Sequence, residues 1–357
     1  MSTSAVRGLH HVTLVTGNYQ VNSTFYVDVL GLRRVKLSVN QDDVYHRHAF
    51  YANPNATVGS TITFFEWPHL PQGYPGLGSP HHVAYRVKSV ECLGLWYWWL
   101  RGRSVPAVGP FERFYGFSIY VRDPDGAIVE IVAPKEDMTV DYVRDLLSKR
   151  VEVDHLREEM KLMTFDHATL IGLDADLVSR FYEKFLGVSK WAGVRDDMGK
   201  AYLVAEDEDN NTYLHYMLFV DAEYGSIGTG AIHHVAFAVN DEQDQRTIMR
   251  RLNSARVPNS GVVDRFWFRS LYFRDPDGNL LEVATLGPGY TVDEPPELLG
   301  TRLVLPPWLE SRRTAIEGAL AELDSTNPAR WPPNFPALPE DPEVYPLFPP
   351  RSNTLNT

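Results

Sequence analysis

Arg265-Phe-Trp-Phe-Arg-Ser-Leu-Tyr-Phe-Arg-Asp-Pro-Asp-Gly-Asn-Leu-Leu-Glu282 has a second copy earlier in the chain, Arg113-Phe-Tyr-Gly-Phe-Ser-Ile-Tyr-Val-Arg-Asp-Pro-Asp-Gly-Ala-Ile-Val-Glu130. Each copy reads as a strand, a tight Asp-Pro-Asp-Gly turn and a second strand ending near the glutamate. Turn residues of this kind between apolar runs signal a β-hairpin. A paired histidine in a strand-like run precedes each copy, His81-His82-Val-Ala-Tyr before the first and His233-His234-Val-Ala-Phe before the second. The offset holds without a gap: 234 − 82, 265 − 113, 272 − 120 and 282 − 130 are all 152. The chain therefore contains a duplicated unit with histidine and glutamate at set places.

Working outward, a second register of 156 relates two further units. Phe25-Tyr26 and Leu30-Gly31 recur as Phe181-Tyr182 and Leu186-Gly187, and His11 matches His167 in Asp166-His167-Ala168-Thr169-Leu170. The first unit opens with the strand Leu9–Val15. A helix follows over Asn18–Leu30, stopped by Gly31, and then strands near Arg33–Ser38, Tyr45–Tyr51 and Ser60–Glu66. The second unit runs from His81-His82 through a helix around Leu93–Arg101 to Glu130. Trp96, Trp98 and Trp99 on that helix read as packing against a sheet in preference to a ligand-stacking wall. The pattern predicts about sixteen strands in four strand-helix-three-strand units, folded as two curved half-barrel sheets around cavities. Between the halves, Asp137–Met163 reads as one long linker helix or two short ones. Glu206-Asp-Glu-Asp-Asn210 reads as a solvated hairpin tip, since it lacks the glycine-punctuated spacing of a calcium loop. Trp308–Leu323 reads as an amphipathic helix. The proline-rich stretch 325–357 is expected to wrap the surface or a partner subunit without forming a core, and a homo-oligomer is expected.

The 357 residues carry a net charge of −12, with 44% apolar and 22% charged residues. That balance fits a globular protein and argues against a nucleic-acid or anionic-membrane surface, each of which needs a basic patch. Cys92 is the single cysteine, so an internal disulfide and a cysteine-based zinc site are excluded. There is no basic-then-apolar leader and no uninterrupted apolar run of roughly 18 residues, which makes the cytoplasm the expected location.

Four histidines stand at equivalent first-strand positions, His11, His82, His167 and His234. Two glutamates stand at equivalent last-strand positions, Glu130 and Glu282. A lone strand histidine is usually structural. Six such residues make two sets of two imidazoles and one carboxylate, the facial triad that suits non-haem Fe(II) and leaves coordination positions open. Imidazole and carboxylate also suit Mn(II), Co(II) and Zn(II). Two pairings are possible. First-with-fourth and second-with-third units give His11/His234/Glu282 and His82/Glu130/His167. First-with-second and third-with-fourth units give His11/His82/Glu130 and His167/His234/Glu282. His46, His48, His69 and His155 are assigned surface or satisfied structural roles.

Four such units resemble the vicinal oxygen chelate superfamily. Gly8–Thr13, Phe25–Arg33, Tyr45-His46, Thr61–Phe65 and Leu305–Glu310 more closely resemble ring-cleaving dioxygenases of the hydroquinone type, over about residues 8–320. The resemblance implies an α+β fold in which four βαβββ modules form two glyoxalase/bleomycin-resistance-like half-barrel domains. An N-terminal domain is expected at 1–136, with modules at 8–67 and 80–134. A linker helix follows at 137–163, then a C-terminal domain at 164–290 with modules at 164–221 and 232–287, and a helix and tail at 291–357. It also implies Fe(II), with Mn(II) as the alternative, held by His11, His234 and Glu282. Around that set it places His10, Thr13, His233, Arg265 and Tyr272. Arg265 would hold a substrate oxyanion and Tyr272 would hydrogen-bond an oxygen at the metal.

The chain departs from the hydroquinone pattern in having a second complete set, His82, Glu130 and His167, with Arg113 and Tyr120 beside it. His215 lies where catechol-type extradiol dioxygenases carry an acid-base histidine, and Tyr272 fits that pattern too. The leading function is thus ring opening of a dihydroxylated aromatic, hydroquinone or catechol, with dioxygen. The alternatives are a glyoxalase-like isomerase or thiol transferase and a non-catalytic aromatic-binding resistance protein. The former wants a fourth protein ligand, usually a carboxylate, for which only Glu66 is placed. Strand alternation adds a geometric expectation. Arg265 and Tyr272 differ by seven, so both reach one cavity only if the strand bends or Arg265 lies in the preceding loop.

Overall fold

The computed structural model describes residues 6–135, 138–195, 200–206 and 212–343. The first module comprises β1 (Leu9–Thr16), α1 (Tyr19–Ser23) running into a π-helical turn (Thr24–Val29), β2 (Arg33–Val39), β3 (Arg47–Ala52) and β4 (Thr61–Glu66). The second comprises β5 (His82–Arg86), α2 (Val90–Gly102), β6 (Ala107–Glu112), β7 (Gly116–Arg122) and β8 (Ile128–Pro134). The third comprises β9 (Phe165–Gly172), α4 (Ala175–Leu186), β10 (Trp191–Arg195), β11 (Ala201–Glu206) and β12 (Thr212–Leu218). The fourth comprises β13 (Ile232–Val239), α5 (Glu242–Ser254), β14 (Asn259–Asp264), β15 (Phe268–Arg274) and β16 (Leu280–Pro288). Between the second and third modules lie α3 (Val140–Ser148) and a single 3-10 turn at Glu158–Met160.

Strand order decides between the two pairings. One eight-stranded sheet runs β14-β15-β16-β13-β1-β4-β3-β2, the other β10-β11-β12-β9-β5-β8-β7-β6. First pairs with fourth, second with third. The sheets thus cross the division of the chain into halves that the sequence duplication suggests. The seam of each sheet is an antiparallel pair of first strands, with Thr13 opposite His234 in one and Thr169 opposite His82 in the other. The last strands lie parallel beside these, which sets Glu282 next to Ala236 and Glu130 next to Ala84. All six ligand candidates are thereby brought to the middle of their sheets.

Alternation does the rest. Val12 and Leu14 on β1, and Val235 and Phe237 on β13, join the large core beneath the helices. The neighbouring residues His11, Thr13 and His234 point to the other face. The two Asp-Pro-Asp-Gly turns close the β7–β8 and β15–β16 hairpins. Asp275 Oδ1 accepts from Asn279 N at 2.8 Å and Asp123 Oδ1 accepts from Ala127 N at 2.8 Å. Gly278 and Gly126 stand at φ +88° and +93°, where a side chain would be strained. Trp96 and Trp99 are structural, as expected, with their indole nitrogens donating to Met160 O and Val29 O at 2.8 Å.

Three expectations need correction. Among its described residues the 137–163 linker is helical only over α3 and the short turn, and outside them Val153 and Leu162 are held in the core by non-helical chain. The C-terminal helix begins as a 3-10 turn, Pro307–Arg312, and becomes α6 at Arg313–Thr326, where Ile316 and Leu320 pack on Val39, Val44 and Leu309. The tail does more than wrap the surface: its residues Asp341 and Glu343 reach polar side chains in the interior of the second sheet. The acidic stretch after Glu206 lies outside the described residues. No helix among the described residues is long and apolar enough to cross a membrane.

Candidate metal centres

His11, His234 and Glu282 converge in the first sheet, His82, Glu130 and His167 in the second, each set with its ligand atoms within 4.8 Å of one another. All six are buried, and both glutamates are fully so. In the first centre the Nε2 atoms of His11 and His234 face each other at 3.3 Å, although only one of them could donate. Glu282 Oε2 lies 3.0 Å from His234 Nε2 and 3.3 Å from His11 Nε2, yet forms no well-aligned hydrogen bond. Buried polar atoms normally find partners. Three lone-pair donors converging within 4.8 Å of one another suit a cation, and the residues therefore fit a metal ion. Burial would push the Glu282 carboxyl up, but the adjacent His11 and His234 hold it well below the usual range. Its other oxygen accepts from Ser270 Oγ at 2.5 Å.

Each ligand histidine is steadied by the residue before it in sequence. His10 Nδ1 lies 2.8 Å from His11 Nδ1, and His233 Nδ1 lies 2.8 Å from His234 Nδ1. In the second centre His81 Nδ1 lies 2.5 Å from His82 Nδ1, and Asp166 Oδ1 lies 2.8 Å from His167 Nδ1. Burial, then the neighbouring ligand imidazole, lowers His10 and His233 to about 3. Both are therefore neutral, and each can accept from the ligand's Nδ1–H, leaving Nε2 for the metal. Such partners orient ligands and raise their basicity.

The first centre opens on a pocket lined by Asn40, Gln41, His48, Phe50, Phe65, Arg265, Trp267, Phe268 and Tyr272. Arg265 does lie in the loop between β14 and β15, next to Phe266 at φ +74°, and its guanidinium sits 5.5 Å from the Tyr272 ring centre. The chain bend lets both reach the pocket despite their odd separation. Arg265 also pairs with the exposed Asp42 at 2.7 Å. Thr13 Oγ1 meets Thr63 Oγ1 at 2.8 Å, and Thr63 Oγ1 meets His48 Nε2 at 2.8 Å.

His48 is the site residue that sequence reasoning missed. Strand pairing explains how it arises. His215 pairs with Thr169 as Thr63 pairs with Thr13. Tyr202 pairs with Met217 as His48 pairs with Phe65. Thr63 thus occupies in the first centre the position His215 holds in the second, and His48 supplies an imidazole from the next strand. Burial, and then His11 and His234, push His48 well below the ordinary histidine range. His46 and His155 pair with Asp43 and Asp154 near the surface, as expected. Glu66 is bound to Arg47 at 2.8 Å and to Tyr19 N at 2.9 Å, so it is committed elsewhere and supplies no fourth ligand.

The second centre is filled. The His215 ring stacks on His167 with centroids 3.7 Å apart and is lowered by burial and by that neighbour. Tyr115 OH donates to Glu130 Oε1 at 2.8 Å. Arg113 Nε donates to Tyr120 OH at 3.0 Å, and both side chains contact the tail.

Two eight-stranded mixed sheets, each made of paired βαβββ modules around a buried His/Glu cluster, define a glyoxalase-like fold. Residues 8–131 and 164–283 match the Glyoxalase/Bleomycin resistance protein/Dioxygenase superfamily, and the chain belongs to it. Within that family it is 32% identical to "Putative ring-cleaving dioxygenase MhqA" of Bacillus subtilis, over 88% of this chain and 98% of the relative. It is 29% identical to a chlorohydroquinone/hydroquinone 1,2-dioxygenase of Sphingobium indicum, over 85% of this chain and 93% of that one. A crystal structure described as a putative dioxygenase from Bacillus subtilis superposes with a TM-score of 0.75 at 30% identity, covering 89% of this chain and 97% of its own.

Proposed function

We propose that the first centre is the active site of a ring-cleaving dioxygenase. It opens a dihydroxylated aromatic, hydroquinone in preference to catechol, with both atoms of dioxygen entering the ring-opened product. The observation that carries the reading is the His11/His234/Glu282 cluster, whose unpaired donors face an aromatic-walled pocket containing one arginine. Fe(II) is the proposed metal and Mn(II) the alternative, since both accept imidazole and carboxylate. Bound there, such a metal supplies the electronic link between the diol and dioxygen.

The chain's own residues have separable tasks. Phe50, Phe65, Trp267 and Phe268 bracket a flat ring and exclude water. Arg265 holds a substrate oxygen as an anion, a charge-assisted contact that orients the ring. Tyr272 donates from its hydroxyl, which burial, then the nearby Glu282, keeps protonated. His48, kept neutral by burial, takes the proton released by a substrate hydroxyl. Its link through Thr63 to Thr13 sets its orientation. His10 and His233 hold the ligand tautomers. The hydroquinone preference is supported by Thr63 standing in the open centre where the catechol-type pattern has histidine, and by the hydroquinone-cleaving relative. Membership of an isomerase class is disfavoured in this centre by the commitment of Glu66 to Arg47.

The test is metal content of anaerobically purified protein measured beside oxygen uptake with a panel of hydroquinones and catechols. Stoichiometric metal and uptake with a hydroquinone are expected. Metal-free protein that binds aromatics without consuming oxygen would establish the resistance-protein alternative instead.

A further inference from the structure

The proline-rich tail ends its described course among polar groups of the second sheet. Glu343 is 1% exposed, although its segment has no core of its own. Tyr120 OH donates to its Oε1 at 2.7 Å, and Tyr202 OH donates to its Oε2 at 2.6 Å. Tyr115 OH, shared with Glu130, lies 3.2 Å from Oε1, and Arg113 Nε lies 3.8 Å from Oε2. Asp341, two residues earlier, accepts from Arg113 Nη2 at 2.8 Å and from Lys200 Nζ at 2.7 Å. The donors all belong to the second and third modules, and both acceptors belong to the tail.

Three features mark these donors as a cage for a ligand. The first is chemistry. An ionised carboxylate only accepts, and its two oxygens offer about four sites. Three hydroxyls and a guanidinium gathered on one carboxylate match that demand. The second is comparison within the molecule. Arg113 and Tyr120 stand where Arg265 and Tyr272 stand in the first centre, and that pair lines an open pocket. Arg265 also meets an acid, Asp42 at 2.7 Å, but the Asp42 side chain is 74% exposed and lies at the mouth. In the second centre the acids lie inside. The third is the walls. The Phe111 ring centre is 5.6 Å from that of Tyr120, and the Phe114 ring centre is 5.3 Å from those of Tyr202 and His215. Flat apolar surfaces therefore flank the caged carboxylate, and a glutamate side chain has no ring to set against them.

We propose that the second centre is a binding site for a small aromatic carboxylate, and that the tail shuts it by setting the Glu343 carboxylate where the ligand's own would bind. When the ligand enters, its carboxylate takes over the bonds from Tyr120 and Tyr202 and the charge of Arg113. Its ring lies against Phe111 and Phe114, and Asp341 and Glu343 withdraw. The tail is tethered, so it competes at an effective concentration of about millimolar, as short flexible linkers do. An external carboxylate must outbid that concentration to open the site. The inference rests on the cage and its occupant alone and is independent of the chemistry at the first centre.

The test uses full-length protein and benzoate, with benzamide and acetate as its uncharged and ringless relatives, and binding is read by titration calorimetry. Asp341→Ala with Glu343→Ala removes the tethered competitor and should tighten benzoate binding about 10-fold or more. Arg113→Met in that background should cancel the gain, because it removes the charge-assisted contact. Arg265→Met should leave the gain in place, which separates the cage from the first pocket. Benzamide should gain nothing from the tail substitutions. Acetate should bind the opened cage about 10-fold more weakly than benzoate, for want of a ring to bury. In the unsubstituted chain, benzoate should raise amide hydrogen exchange across residues 336–343, where Glu343 N bonds Asp341 Oδ1 at 3.0 Å. That measurement depends on no variant folding. The proposal is overturned if the tail substitutions leave benzoate affinity within about threefold of the parent's, a difference of less than about 0.7 kcal/mol. It is equally overturned if Arg113→Met keeps the gain, if acetate binds as well as benzoate, or if saturating benzoate leaves tail exchange unchanged. Oxygen uptake with a hydroquinone, measured beside these, reports on the first centre separately.

Discussion

Replacing Glu282 by alanine, beside the matching Glu130→Ala, tests which cluster performs the chemistry. Glu282 is fully buried and is the only anion in its triad. Its Oε2 stands 3.0 Å and 3.3 Å from the two imidazole nitrogens, and its Oε1 takes a bond from Ser270. Without it, two imidazoles remain to hold a dication in a dry site. Removing one partner of a buried charge pair costs about 3–5 kcal/mol. At about 1.4 kcal/mol per tenfold, that is a loss of roughly a hundred- to a few-thousand-fold in metal affinity. Glu282→Ala purified anaerobically should carry about one metal fewer per chain than the parent and show no oxygen uptake with a hydroquinone. Glu282→Gln, which can still bond Ser270, should fall between. Glu130→Ala should lose the other metal and keep turnover. Full metal content and activity in Glu282→Ala, or abolition of turnover by Glu130→Ala alone, would refute the assignment of the open cluster as the reacting one.

Three further outcomes follow from the geometry. His48→Gln should lower kcat by about 100-fold or more with metal content unchanged, whereas His215→Gln should leave turnover intact. The opposite pattern in steady-state kinetics would move the acid-base role to the closed centre. Arg265→Met should reduce kcat/KM by roughly 10- to 150-fold, the value of a charge-assisted hydrogen bond of about 1.5–3 kcal/mol. Arg265→Lys should recover only part of it, and equal activity in all three proteins would show that the guanidinium does not bind substrate. In metal-free protein His10 and His233 stay neutral down to about 3, while the unfolded chain protonates them near the ordinary histidine value of 6.5. Their contribution to stability is therefore complete above pH 6.5 and is lost as pH falls from there toward 3, at about 1.4 kcal/mol per pH unit for each. Denaturant melts of the metal-free His10→Gln/His233→Gln protein should show a flatter acid limb than the parent, and an identical slope would contradict the burial argument.

The sequence by itself determined the module, the hairpins and the six ligand candidates. These depend on local and periodic signals: a two-residue alternation, an Asp-Pro-Asp-Gly turn, and repeats in strict register. It also restricted Arg265 to a loop or a bent strand, because the parity of its distance from Tyr272 admits nothing else. What it left open was pairing. Both ways of joining the modules complete two triads, and only the hydrogen-bonded seams β1–β13 and β5–β9 select between them. Two residues were illegible for the same reason. His48 enters the first pocket from a neighbouring strand, with no counterpart histidine in the repeat to mark it, since Tyr202 holds the equivalent position. Glu343 lies 213 residues from Glu130 in a segment without periodicity (343 − 130). Its place in the second centre depends on long-range contacts to Tyr115, Tyr120 and Tyr202 that no local pattern encodes. The same triad written twice in the chain became one open centre and one closed one because of what tertiary packing laid over it.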